Sequence, residues 1–76
     1  MKTKLEILEG FHDQALTKLL ETKINLSSAE KRSIVLKPGK EYDEVQKSIV
    51  KFKEMKKTFE SVVSTIDEFI AEAKKE

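Results

Sequence analysis

Apolar side chains recur in alternating steps of three and four from Tyr42 to Ala73: Tyr42, Val45, Ile49, Phe52, Phe59, Val63, Ile66, Ile70 and Ala73. Lys56 fills the one polar slot in this series, with Met55 beside it. Such spacing keeps one stripe of an α-helix turned towards a partner helix. No Pro or Gly interrupts it, so the pattern predicts one long helix over residues 40–74. Glu41, Asp43 and Glu44 crowd its first turns and Lys74 and Lys75 close its last, so both ends suit the helix macrodipole.

Residues 3–23 read as a first helix. Thr3 is placed to cap it, and Glu6 three residues later completes a capping box, in which each side chain serves the other's free backbone N–H. Leu5, Leu8, Phe11, Ala15, Leu16, Leu19 and Leu20 share one face of a 3.6-residue wheel. Gly10 stands mid-helix, either as a tolerated cost or as a point of close backbone approach. His12 lies near the centre of the same stripe. It reads either as a titrating switch or as an edge-of-core residue bonded to a carboxylate or water.

Residues 24–39 break the pattern and read as a linker or a short helix. Asn25, Ser27 and Ser28 are turn and cap formers, and Ser27 to Glu30 repeats the capping-box spacing. A short helix over 28–36 competes with an extended piece over 33–37, where Ile34 and Val35 are β-branched. Pro38 and Gly39 punctuate the end of whatever precedes them.

The expected fold is therefore all-α, a helical hairpin in one domain over residues 1–76. On these bounds the long helix spans roughly 50 Å and the first roughly 30 Å, so the first cannot cover the whole seam. Met55, Val62 and Phe69 add a second stripe at intervals of seven beside the first. A widened face suits a helix that touches two neighbours, as in a bundle. The expected partner interface is Phe52, Met55, Phe59, Val62, Val63, Ile66, Phe69 and Ile70. Its occupant is either a second copy of the chain, in a helical bundle, or a helix of another protein. Lys56 in the seam either sets register or snorkels to solvent with its stem packed.

Composition narrows the chemistry. A chain of 76 residues buries only roughly 60% of its unfolded surface, and such chains often lean on disulfides, metals or assembly. There is no Cys and a single His, so disulfides, thiolate zinc sites and His-rich metal sites are excluded. Fifteen basic residues balance 14 acidic ones, against the basic excess of a strong nucleic-acid binder. Glu6 and Glu9 interrupt any signal-peptide core, and no apolar run reaches the roughly 20 residues a membrane span needs. A cytoplasmic, cofactor-free protein is the expectation, with no membrane and no small-molecule substrate.

No catalytic motif emerges. The carboxylates lie on solvated faces or at helix starts, nothing places a Ser beside His12, and Lys37-Pro38-Gly39-Lys40 matches no phosphate-binding loop. Lys47, Lys51, Lys53, Lys56 and Lys57 spread around the wheel rather than forming one strip. The leading expectation is a non-enzymatic interaction module: an adaptor, inhibitor or structural subunit, of a size that suits a bacterial or phage accessory system. The alternative is a dimeric DNA-binding regulator using residues 28–40, in which Lys31 and Arg32 sit on a short recognition helix.

Overall fold

The computed structural model describes residues 1–76 as an all-α helical hairpin. Helix α1 runs Lys4–Val35 and helix α2 runs Lys40–Lys75, joined by a turn over 36–39. Thr3 caps α1 as the sequence leads one to expect: its Oγ1 accepts the Glu6 N–H at 3.2 Å. The Thr3 hydroxyl donates in turn to the Glu6 carboxylate at 3.2 Å, so the reciprocal bond lands on the side chain rather than on the Thr3 backbone. At the start of α2 Gly39 offers no side chain, and its carbonyl accepts the Asp43 N–H at 3.0 Å.

The structure corrects the expected bounds of the first helix. Residues 24–35 are neither linker nor separate short helix; α1 continues through them for 32 residues in all. The Ser27–Glu30 capping signal is overridden because Leu26 is buried against Val45 and Ile49, with Ala29, Leu36 and Phe52 packed around them. Breaking the helix at Ser27 would lift Leu26 and Ala29 off α2, which costs more than a local cap returns. Ser33 is accommodated mid-helix by bonding back to the Glu30 carbonyl at 2.7 Å.

The residues of α1 that lose solvent are Leu5, Leu8, His12, Ala15, Leu19, Thr22, Leu26, Ala29 and Ser33. They advance in the same three-and-four steps as the stripe on α2, but small and polar residues fill much of the series. Phe11, Leu16 and Leu20, expected on this face, are exposed instead. Thr22 is the most deeply buried side chain of the hairpin, its hydroxyl satisfied by the Lys18 carbonyl at 2.8 Å. On α2 the stripe from Tyr42 to Ala73 is buried or half-buried at every position, Lys56 included.

The two helices have nearly equal reach. At 1.5 Å per residue, 32 and 36 residues span about 48 Å and about 54 Å. The expected overhang of the long helix is thus absent, and α1 covers the seam along its length. Two side-chain contacts tie the helices towards the open end: the Lys4–Glu76 ion pair, with Nζ 3.4 Å from Oε1, and His12 Nε2, which lies 2.8 Å from Asp67 Oδ1. His12 is half-buried and sits against a carboxylate of the opposite helix.

Two helices make a slab, not a ball. Its dimensions are 56 × 18 × 14 Å and its radius of gyration is 17.1 Å, where a compact chain of this length has about 11 Å. Only six residues are buried, and none is shielded completely.

Candidate interaction surface

The helix register decides which exposed side chains share a face. At the hinge end Ser28, Ala29 and Arg32 of α1 line one groove with Val45, Ser48 and Phe52 of α2. At the open end Lys4 meets Glu76. Steps of seven from Arg32 to Lys4 pass through Asn25, Lys18 and Phe11, and steps of seven from Ser48 to Glu76 pass through Met55, Val62 and Phe69. Such steps hold a position on one face of packed helices. One broad face of the slab therefore carries Phe11 from α1 and Met55, Val62 and Phe69 from α2, with Ile7 one turn before Phe11.

These side chains are wet. Ile7, Phe11, Val62 and Phe69 keep 47%, 54%, 40% and 51% of their surface, and Met55 is half-buried. The opposite broad face is different in kind. There Leu26 and Glu30 of α1 border a groove with Lys53, Lys56, Lys57 and Glu60 of α2. Lys56 thus packs in the seam and opens onto a charged surface, which is the snorkelling arrangement. Leu16 and Leu20 are exposed on α1 in a groove with Lys23, but α2 brings charged neighbours to that side.

The expected interface residues divide accordingly. Phe52, Phe59, Val63, Ile66 and Ile70 are half-buried in the seam towards α1, and Phe52 packs on the Leu26–Val45–Ile49 cluster. Met55, Val62 and Phe69 form the outward stripe. Ile7 and Phe11 join them, and sequence reasoning did not place them there. No spacing signal singled out Phe11, since Leu8–Phe11–Ala15 and Leu8–His12–Ala15 both advance in steps of three and four.

The molecule exposes 6066 Å². A compact monomer of this length would expose about 4700 Å². The surplus of about 1300 Å² exceeds the roughly 800 Å² that each partner buries in a standard interface.

Other chemistry is not gathered. No three potential metal-binding side chains cluster. No helix is long and apolar enough to cross a membrane. Lys31, Arg32, Lys37 and Lys40 surround the hinge without an acidic residue between Lys31 and Lys40. The turn that a helix-turn-helix needs ahead of Ser28 is absent, because α1 is continuous there. Comparison with protein-family models, with curated proteins and with solved structures gives no match for this chain.

Proposed function

We propose that this protein is a non-enzymatic interaction module that works through the broad face carrying Met55, Val62 and Phe69 of α2. The observation that carries the reading is the exposure of this apolar stripe beside Phe11 and Ile7. A contiguous patch of large apolar side chains on a small soluble chain marks a site of contact. Fully covering a large apolar side chain contributes about 1.5–3 kcal/mol, so a partner on this face has a ready source of affinity. The rigid hairpin behind the stripe supplies a pre-formed surface, which lowers the ordering cost of binding.

A photo-crosslinking residue tests the reading. Introduced at Val62 in cells that make the protein, it should yield discrete protein adducts. At Lys47, which is also exposed on α2, it should yield none. Equal adducts at both positions, or none at Val62, would dispose of the proposal.

The second reading is DNA binding by the hinge, favoured by the four cations over residues 31–40. It lacks a separate recognition helix, and so requires phosphate contact alone. Such binding would be non-specific and steeply salt-dependent. It predicts a mobility shift at low salt that Lys31→Ala with Arg32→Ala abolishes.

A further inference from the structure

The outward stripe of α2 has a symmetry that points to its occupant. Between Met55 and Phe69, in alternating steps of three and four, stand Thr58, Val62 and Thr65. These five positions make a second heptad seam, turned about 100° round the helix from the one that packs on α1. None of the five is charged. The order of side chains reads nearly the same from either end: a long apolar residue, a threonine, valine, a threonine, a long apolar residue. The next steps outward are Lys51 on one side and Glu72 on the other, opposite charges eleven and ten residues from Val62.

We propose that this face binds a second copy of the chain, antiparallel, about a two-fold axis through Val62. The inference rests on the interaction reading above and names its partner. In a two-fold interface every contact occurs twice, residue i on j and j on i, so the surface must be complementary to itself when reversed. Antiparallel pairing sets Val62 against Val62 and brings Thr58 to within one residue's rise of Thr65. It sets Met55 against Phe69, a sulfur–aromatic contact. It also brings Lys51 to Glu72 at both ends. Parallel pairing would instead oppose Lys51 to Lys51 and Glu72 to Glu72.

Two further observations agree. The Thr58 hydroxyl is already engaged by the Glu54 carbonyl at 3.1 Å, so covering it leaves no orphaned donor. The surplus exposed surface exceeds what one side of a standard interface buries. Phe11, level with Phe69 on α1, widens the contact. The product is a four-helix bundle with the two α2 helices against each other.

Sedimentation equilibrium on the purified chain tests this, with circular dichroism to confirm helicity. The wild type should be a dimer at micromolar concentration, and Val62→Glu, which puts two carboxylates at the axis, a folded monomer. Lys51→Glu and Glu72→Lys should each weaken the dimer by up to roughly tenfold, since each removes two rim pairs. The double reversal K51E/E72K should restore wild-type affinity. A helical wild-type monomer at about 100 µM would overturn self-pairing yet leave the face free for another partner. A dimer indifferent to Val62→Glu would be built on another surface and would overturn this proposal, while the crosslinking result at Val62 still decides the interaction reading. A dimer that Val62→Glu breaks but the double reversal fails to rescue would overturn the antiparallel arrangement.

Discussion

Leu26→Ala is the sharpest probe of this fold. Leu26 is 8% exposed and packs on Val45 and Ile49, with Ala29, Leu36 and Phe52 around it. Truncating a core Leu to Ala costs about 2–5 kcal/mol, the spread depending on how well the site collapses. No side chain of this hairpin is fully shielded, so water and neighbours can fill the gap, and the lower end applies: about 2–3 kcal/mol. A chain of this length has a total stability of about 4–11 kcal/mol, so the loss is a large fraction. In urea, with a slope of about 1 kcal/mol/M for so small a protein, the far-ultraviolet circular dichroism midpoint should fall by about 2 M. Ile24→Ala is the control, two residues away and 57% exposed, and should stay within about 0.5 kcal/mol of wild type. Both variants must be compared with wild type at one protein concentration, because self-association would add to apparent stability. If Leu26→Ala shifts the midpoint no more than Ile24→Ala, Leu26 is not a core residue and α1 does not dock along its whole length.

Three further outcomes follow from particular positions. Ser28→Pro interrupts the middle of a continuous helix and should cost about 3 kcal/mol or more in thermal or urea unfolding, whereas in a linker it would be nearly silent. Gly10→Ala should stabilise by about 0.5–1 kcal/mol, because nothing lies within 4 Å of the added carbon and only the helical entropy cost is relieved. A loss of stability there would reveal close approach by a partner. Thr3→Ala removes the hydroxyl that accepts the Glu6 N–H and should cost about 1 kcal/mol, seen also as faster amide exchange in the first turn of α1.

The separation of inward and outward apolar side chains has a simple physical basis here. A two-helix slab can bury one stripe from each helix. Any second apolar stripe is left at the surface of the hairpin. On α2 both stripes are present: one is spent on α1, and the other stays half-exposed at Met55 and exposed at Val62 and Phe69.

Much of this was legible along the chain. The stripe from Tyr42 to Ala73 is apolar at nearly every step, so the three-and-four period alone gave α2 to within a residue at its C-terminal end. The Thr3 cap and the break at Pro38-Gly39 marked the ends of the pair. The second half of α1 was not legible, because its inward positions are filled by Thr22, Ala29 and Ser33, which a hydrophobicity pattern does not register. Local signals at Ser27 and Ser28 argued for a break, and only the contact of Leu26 with Val45 and Ile49 outweighs them. The same packing decided the face of Phe11, since a 3.6-residue wheel drifts away from a seven-residue repeat over such a length. Periodicity is a property of one helix, while register belongs to two. Which stripe faced inward therefore became definite only when α1 and α2 lay side by side.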